Sequence, residues 1–243
     1  MTVAQPQYRR VLLKISGEAF CPPGGFGLQR EPLDRIASEI AETAALGVQI
    51  AVVCGGGNYL RGANFADELG LDRATADYMG MLATVLNSLA LQEALERHGR
   101  EARVQSALPI SRIGEPFDRR RSLRHLAKGR IVLLAAGTGN PHVTTDSCAA
   151  MRAAELRADL LLKATKVDGV YDSDPARNPG AKMYTHVTYD EVIDRRLRVM
   201  DISATELCQQ YAIPVVVFNL FQPGVLKRVV LGEPLGTRVG PAK

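Results

Sequence analysis

The chain has 243 residues, of which 46% are apolar, 23% are charged and 5% are aromatic, and it carries a net charge of +4. These proportions exclude a disordered or collagen-like chain, the longest apolar runs are far below the ~20 residues that span a bilayer, and residues 1–10 lack the apolar core of a secretion signal. We therefore expect a cytoplasmic globular protein with four reduced cysteines, no membrane partner, and too few basic and aromatic residues for a nucleic-acid partner.

Apolar runs of strand length alternate along the chain with segments of helical periodicity. The predicted strands span residues 8–16, 48–54, 102–107, 131–136, 159–163 and 214–218. The predicted helices span residues 32–46, 72–98, 144–156, 189–196, 203–211 and 224–230, and the basic stretch 117–128 is either a helix or a loop. This alternation is typical of an α/β protein with a mainly parallel sheet and helices on both faces. No linker interrupts it, so residues 1–243 are expected to form a single domain.

The long predicted helix carries an apolar stripe of Met79, Leu82, Leu86 and Leu89. The three- and four-residue spacing places these side chains on one face of the helix. Such a stripe indicates either the core of the protein or an interface with another subunit, and not a cofactor site.

Three predicted strands are followed at once by glycine-rich loops, in the segments LLKISG, VVCGGGN and LLAAGTGNP. In open parallel sheets, ligands bind beyond the carboxyl ends of the strands. Three such loops at one edge predict a crevice suited to phosphate groups.

Lys14 and Lys163 stand near the ends of two strands that are otherwise apolar. A lysine in a buried strand is costly unless its ammonium group reaches a partner. The partner could be a transferring phosphate or simply an acid at the strand end, and the residue alone favours neither. Two such lysines on opposite halves of one sheet suit a linear donor–acceptor arrangement with one cation on each side.

Gly55, Gly56 and Gly57 follow the second strand directly. Successive backbone N–H groups of such a loop can surround phosphate oxygens, helped by the N-terminus of the next helix. The simpler interpretation is a tight turn, but three consecutive glycines exceed what a turn needs, so a phosphate loop is favoured. Arg61 follows four residues later and could reach the same anion.

Residues 137–146 supply small polar groups after the fourth predicted strand. Asn140 and the threonines can both donate and accept hydrogen bonds, which suits the edge of a pyrimidine ring. Thr144, Thr145 and Asp146 are also candidates to cap the following helix, and capping does not exclude contact with a ligand.

Taken in order, the segments LLKISGEAF, VVCGGGNYLRGA, DYMGMLATVLNSLAL, LLAAGTGNPHVTTDS, LLKATKVDGVYDSDP, VMDISA and PVVVFNL resemble the amino acid kinase family over residues 10–239. The segments DYMGMLATVLN and GTGNPHVTTD are similar to the branch of that family that phosphorylates UMP. The resemblance implies a three-layer αβα sandwich in which residues 8–130 hold the acceptor and residues 131–240 hold ATP. It also implies transfer of the ATP γ-phosphoryl group to UMP, with Mg²⁺ bound by the ATP phosphates and no metal site in the protein.

The resemblance further assigns individual residues to the site. Those expected to be catalytic are Lys14, Arg61, Asp146 and Lys163. Those expected to contact ATP are Lys14, Ile15, Ser16, Gly17, Gly57, Arg61, Thr165, Tyr171 and Asp174. Those expected to contact UMP are Gly56, Asp77, Thr138, Gly139, Asn140, Pro141, His142, Val143, Thr144 and Thr145. The stretch expected to bind GTP as an activator comprises Pro22, Pro23, Gly24, Gly25, Phe26 and Gly27.

Within these assignments, Asp146 and Asp174 are expected to orient the cations, and Asp77 to accept hydrogen bonds from the ribose. His142 departs from the aromatic residue that is usual in the family. The resemblance also implies a homohexamer that UTP inhibits.

Three alternatives remain open. The first is a kinase of the same family that phosphorylates an acidic amino acid or carbamate. The second is a protein that binds nucleotide without turnover. The third is a nucleic-acid-binding factor that uses the basic run at residues 118–130; a solvated helix face is the favoured interpretation of that run because aromatic residues do not accompany it.

Overall fold

A computed structural model of the protein describes residues 5–60, 69–197 and 199–242. Its strands are β1 (Arg10–Ile15), β2 (Gln49–Cys54), β3 (Ala102–Ser106), β4 (Glu115–Pro116), β5 (Ile131–Ala135), β6 (Leu160–Thr165), β7 (His186–Thr188), β8 (Val215–Asn219) and β9 (Thr237–Gly240). Its helices are α1 (Arg30–Ala44), α2 (Arg73–Arg97), α3 (Arg119–Ala127), α4 (Thr145–Leu156), α5 (Tyr189–Asp194), α6 (Ile202–Gln210) and α7 (Val225–Val230). A short 3₁₀ helix spans Gly17–Phe20.

These strands form a single sheet in the order β4-β3-β5-β2-β1-β6-β8-β9-β7. Strands β8 and β9 are antiparallel, and every other neighbouring pair is parallel. The five central strands β5, β2, β1, β6 and β8 therefore point the same way, and their carboxyl ends meet at one edge. The predicted mainly parallel sheet is confirmed.

The central strands are apolar along their whole length because helices cover both faces of the sheet. In β1, the side chains of Val11, Leu13 and Ile15 pack on one face, in the hydrophobic cluster that also holds residues of α1, α2 and α7. Leu12 points to the other face, whose cluster holds residues of α3, α4, α5 and α6. Each fully buried Leu or Ile contributes about 1.5–3 kcal/mol. The three-layer αβα sandwich is thus confirmed.

Helix boundaries lie close to their predicted places because capping residues mark them. Asp72 accepts a hydrogen bond from Ala74 N at the start of α2, and Thr144 accepts one from Ser147 N at the start of α4. Thr188 and Glu191 form a capping box at the start of α5. Gly47, with a φ of +84°, ends the turn after α1, a conformation that glycine adopts without steric cost.

The differences from prediction concern short or ambiguous segments. Strands β4, β7 and β9 were not predicted, since two to four residues at the sheet's margin carry little pattern. The basic stretch forms helix α3. Leu82 and Leu86 are half exposed, so the core interpretation is wrong for them, and the interface interpretation stays a prediction. None of the described helices is both long and apolar enough to cross a bilayer.

Candidate active site

Lys14 and Lys163 meet at the carboxyl end of the sheet. They are direct partners in the register of β1 and β6. One carboxylate contacts both, with Lys14 Nζ 3.0 Å from Asp146 Oδ1 and Lys163 Nζ 2.6 Å from Asp146 Oδ2. Lys163 Nζ also donates to the carbonyl of Val199. The two halves of the sheet therefore join at this lysine pair, whereas the sequence had placed the cations on opposite sides of the crevice.

Burial and charge act against each other in this cluster. Burial raises the pKa of Asp146, but the ammonium groups of Lys14 and Lys163 outweigh it, so the pKa lies below its ordinary value. Burial lowers the pKa of Lys163; the Asp146 carboxylate opposes that effect and the neighbouring Lys14 charge adds to it. Lys14 and Lys163 thus contact one carboxylate directly, and the carboxylate of Asp201 also acts on Lys163 and raises its pKa.

The glycine loop packs against the loop after β1 with almost no space between the two backbones. A Cβ on Gly17 would lie 2.5 Å from Gly57 N and 2.7 Å from Asn58 Oδ1. A Cβ on Gly56 would lie 2.6 Å from the carbonyl oxygen of Gly80, in helix α2. Close packing alone therefore requires Gly17 and Gly56. The sequence analysis favoured phosphate binding over a tight turn for the glycine loop, and packing against α2 is a further reason for Gly56.

Of the three glycine N–H groups in this loop, one donates a hydrogen bond within the described residues and two do not. Gly55 N donates to Ile15 O at 2.8 Å and so continues the ladder between β2 and β1. Gly56 N and Gly57 N donate to no residue within the described ranges. Among the described residues, a Cβ on Gly57 would meet only Glu18 Cγ, at 3.8 Å. Gly57 is thus the open position of the loop, with its amide available to an anion.

A cavity of 280 Å³ lies between the glycine loop, helix α2 and the loop after β5. Its volume is at the lower end of small-molecule sites. Seven of the residues predicted to contact the acceptor line it: Gly56, Asp77, Thr138, His142, Val143, Thr144 and Thr145. Gly139, Asn140 and Pro141 belong to the same loop but are not among the residues that line the cavity.

Asp77 ties helix α2 to the loop after β5. Its Oδ2 accepts from His142 N at 2.8 Å, and its Oδ1 lies 3.1 Å from Arg73 Nε. Burial raises the pKa of Asp77, but the His142 backbone hydrogen bond and Arg73 lower it below the ordinary value. His142 has a φ of +64°, and its ring is 65% exposed at the rim of the cavity. Asp77 is therefore also a structural anchor of this loop, beyond the predicted contact with ribose.

Asp201 was missed by sequence reasoning although it belongs to the quoted segment VMDISA. Its carboxylate accepts from the hydroxyl of Thr144 and lies 3.5 Å from Ser147 Oγ. It precedes helix α6 and so joins the N-terminus of that helix to the N-terminus of α4. The only sequence signal was an acidic residue just before a predicted helix.

The residues assigned to ATP lie along the carboxyl ends of β1 and β6 and in the loop that follows β6. The side chain of Ile15 is fully buried in the core, so only its backbone can reach a ligand. Thr165 Oγ1 donates to the carbonyls of Val167 and Phe218. Tyr171 forms an isolated bridge with Met183.

Asp174 contacts neither Lys14 nor Lys163 within the described residues, and its expected role toward the other cations stays a prediction. Its Oδ1 accepts from Ala176 N at 3.0 Å, and its Oδ2 lies 3.7 Å from Arg177 Nε. Asp174 thus organises its own turn, which is the simpler role that Asp-Pro suggests. The loop after β6 also contacts the short 3₁₀ helix that follows β1, through an ion pair in which Lys166 Nζ lies 2.8 Å from Glu18 Oε2.

Two further predictions concern Arg61 and residues 22–27. Arg61 falls outside the described residues, so its assignment stays a prediction. The stretch from Pro22 to Gly27 forms a turn in which Gly25 N donates to Pro22 O at 2.8 Å. Phe26 is 72% exposed and touches Tyr59 edge-on, with 5.8 Å between the ring centroids.

Comparison with known proteins agrees with this fold. The profile of the amino acid kinase family matches residues 9–219. The chain is 54% identical over 235 residues to the uridylate kinase of Methylococcus capsulatus, covering 97% of this chain and 98% of that protein. The crystal structure of the UMP kinase from Bacillus anthracis superposes with a TM-score of 0.94 at 41% identity, covering 97% of each chain. That of the UMP kinase from Ureaplasma parvum gives 0.89 at 34% identity, covering 96% and 99%.

Proposed function

Because the chain belongs to the amino acid kinase family, we propose that it is an ATP-dependent nucleoside monophosphate kinase that converts ATP and UMP to ADP and UDP. The observation that carries the chemistry is the pair of strand-end lysines, held by one carboxylate beside a glycine loop with open amides. The choice of UMP rests on the similarity to uridylate kinases along nearly the whole chain.

The obstacle to the reaction is repulsion between two anions. A phosphomonoester has a second pKa near ~6, so the UMP phosphate is mostly dianionic at neutral pH and needs no general base. Two unit charges ~4 Å apart repel by ~4 kcal/mol at an effective dielectric of 20. Lys14, Lys163 and the amides of Gly56 and Gly57 would offset that repulsion and stabilise charge on the equatorial oxygens.

The acceptor and the donor would approach the lysine pair from different sides. UMP would occupy the cavity beside Asp77 and the loop after β5, in the N-terminal half and at its junction with α4. ATP would extend over the carboxyl ends of β6 and β8, near Thr165 and Tyr171. Thr144 and Thr145, at the N-terminus of α4, would place the positive end of that helix toward the acceptor phosphate. Mg²⁺ would enter as part of the MgATP substrate.

Regulation and assembly belong to the same proposal. GTP activation would act through residues 22–27 and UTP inhibition through the acceptor site. A homohexamer would cover the exposed apolar side chains on α2, namely Tyr78, Leu82 and Leu86, which are 42%, 50% and 49% exposed. A cytoplasmic location would supply both nucleotides.

The test is a coupled ADP-release assay with MgATP and the acceptors UMP, CMP, dUMP, glutamate, N-acetylglutamate and aspartate. Turnover with UMP supports the proposal. Turnover only with an amino acid would keep the lysine assignments and discard the acceptor site. Binding of ATP without turnover on any acceptor would make the protein a nucleotide-binding module.

A further inference from the structure

Asn58 and Asn87 form a buried reciprocal pair of side-chain amides next to the glycine loop. Asn58 Nδ2 donates to Asn87 Oδ1 at 2.9 Å, and Asn87 Nδ2 donates to Asn58 Oδ1 at 2.8 Å. Asn58 is 1% exposed and Asn87 is fully buried in the middle of α2. None of the roles assigned above uses Asn87.

The remaining amide hydrogens of the pair hold two different loops. Asn87 Nδ2 donates to Gly55 O at 2.7 Å, and Asn58 Nδ2 donates to Gly27 O at 2.9 Å. Both NH₂ groups are therefore fully used. A buried polar network with all its members satisfied specifies one arrangement, and each unpaired group is costly.

The bond to Gly55 O bears directly on the phosphate site. A trans peptide unit is planar, so its C=O and the next residue's N–H point in opposite directions. Fixing the carbonyl of Gly55 therefore fixes the direction of Gly56 N–H, one of the two open amides of the loop. Gly55 N is already held by Ile15 O at 2.8 Å, so the peptide units on both sides of Gly55 are constrained.

The pair also joins the segment at residues 22–27 to the glycine loop. Gly27 N donates to Asn58 O at 2.8 Å, while Gly27 O accepts from the Asn58 side chain. Asn58 is therefore hydrogen-bonded to Gly27 through both its backbone and its side chain. A displacement of Gly27 would shift Asn58, and through the hydrogen bonds of Asn58 it would shift Asn87 and the Gly55 carbonyl as well.

We propose that Asn58 and Asn87 are positioning residues that aim the Gly56 amide at the transferring phosphate and couple the glycine loop to residues 22–27. The catalytic part of this inference rests on the proposed kinase function. The structural part, that the pair holds both loops, does not.

The experiment compares Asn87→Asp and Asn58→Asp with the unmodified protein. N87D keeps the side-chain shape but removes the donors to Gly55 O and Asn58 Oδ1. N58D removes the donors to Gly27 O and Asn87 Oδ1. The control is Thr43→Val, which removes a buried hydroxyl that donates to Glu39 O in helix α1, far from the loop in sequence. Thermal unfolding of each variant measures any general loss of stability.

Two readouts are taken on each protein. Hydrogen–deuterium exchange is followed in the peptides covering residues 20–29 and 55–60, which contain the bonded amides of Gly27, Tyr59 and Leu60. Steady-state kinetics with UMP and MgATP give kcat and KM. We expect N87D to speed exchange in both peptides and to lower kcat on the order of 10²-fold, with KM for UMP little changed. T43V is expected to change neither.

Results that contradict the positioning role can be told apart from results that contradict the proposed function. Faster exchange in N87D with a kcat equal to that of T43V would overturn the positioning role, as would a lower kcat with unchanged exchange. If N87D does not fold, N58D decides, because it is expected to speed exchange in residues 20–29 and to lower kcat as well. If the unmodified protein turns over no UMP, the proposed function fails, and exchange alone then decides whether the pair holds the loops.

Discussion

Lys14 and Lys163 are direct partners on adjacent parallel strands, and the carboxylate of Asp146 contacts both ammonium groups. Neither lysine is more than 14% exposed. Buried charges are tolerated only where opposite charges or hydrogen bonds compensate them. Asp146 compensates both lysines directly and Asp201 acts on Lys163 as well, so this pair of buried cations is held where the acceptor cavity and the ATP side of the sheet meet.

We expect Lys14→Ala to lower kcat on the order of 10³-fold, equivalent to ~4 kcal/mol, because it removes a cation beneath the transferring phosphoryl group. Steady-state ADP release with saturating MgATP and UMP measures the effect. Lys166→Ala is the matched control, since Lys166 pairs with Glu18 and its side chain is 44% exposed. A loss below tenfold in K14A would remove Lys14 from catalysis.

Asp146→Asn should destabilise the fold at neutral pH and do so less at alkaline pH. Two buried ammonium groups would lose the carboxylate that contacts both of them, which costs on the order of 3–5 kcal/mol. Burial already lowers the pKa of Lys163. An unfolded lysine keeps its proton up to a pH of ~10.4, whereas folded Lys163 releases its proton earlier, so the variant regains stability as the pH rises. Urea unfolding at pH 7 and at alkaline pH measures this recovery.

In the unmodified protein the contribution of Asp146 to stability also grows as the pH rises, but it does so in the acidic range. The folded-state pKa of Asp146 lies below its ordinary value. Its stabilising effect is therefore complete above the unfolded pKa of ~3.9 and is lost as the pH falls through the lower folded value. Asp34→Asn, which breaks a more exposed pair with Arg97, should cost much less stability than Asp146→Asn, because solvent screens exposed ion pairs. Equal losses in D146N and D34N would contradict the cluster's role.

The parts of the fold that the sequence predicted are those whose cause is local. Apolar runs such as residues 131–135 are strands because both of their faces are covered, and Asp72 and Thr144 begin helices because their side chains satisfy free N–H groups. The side-by-side placement of Lys14 and Lys163 could not be predicted. It depends on the register of two strands that are 149 positions apart in the chain.

Other misses have specific physical reasons. Asp201 reaches Thr144 across 57 positions, and no local pattern encodes that contact. Gly56 is required by the approach of helix α2, which the sequence does not show. Helix α2 carries apolar residues around most of its circumference, so periodicity could not distinguish the buried face with Met81 and Val85 from the exposed face with Leu82 and Leu86.

Asp77→Ala should raise KM for UMP and leave kcat nearly unchanged. Asp77 lines the acceptor cavity and holds His142 N, so its removal weakens binding of the ground state and the transition state alike. Asp77→Asn is the informative companion, because its amide oxygen can still accept from His142 N while the charge is lost. If kcat falls while KM holds, Asp77 acts in the chemical step and this assignment is wrong.

Three buried thiols should be inert to alkylation in the folded protein. Burial raises the pKa of Cys54 to about 12, that of Cys148 to about 11 and that of Cys208 to about 12. The thiolate is the reactive form, so iodoacetamide at pH 8 should label these positions only after unfolding in urea. Mass spectrometry of tryptic peptides reports each site. Rapid labelling of Cys148 without denaturant would show that helix α4 opens locally.

The exposed stripe on α2 gives a prediction about assembly. Tyr78, Leu82 and Leu86 are spaced four residues apart on α2 and are 42–50% exposed. They form an exposed apolar face of the kind that partners cover. Leu82→Glu should therefore reduce the mass measured by light scattering. The thermal stability of the separated subunit should change little, because the side chain does not belong to the core.

The matched control for that change is Ile202→Glu, at a residue that is 45% exposed on α6. Like L82E, the I202E change replaces a half-exposed apolar side chain with a charged one. Unlike L82E, it leaves the exposed apolar face of α2 unchanged. If L82E and I202E leave the same assembly, the stripe is not the interface. If both lower the mass, α6 also contacts a partner, and the effect of L82E alone would then no longer identify α2 as the helix that joins two subunits.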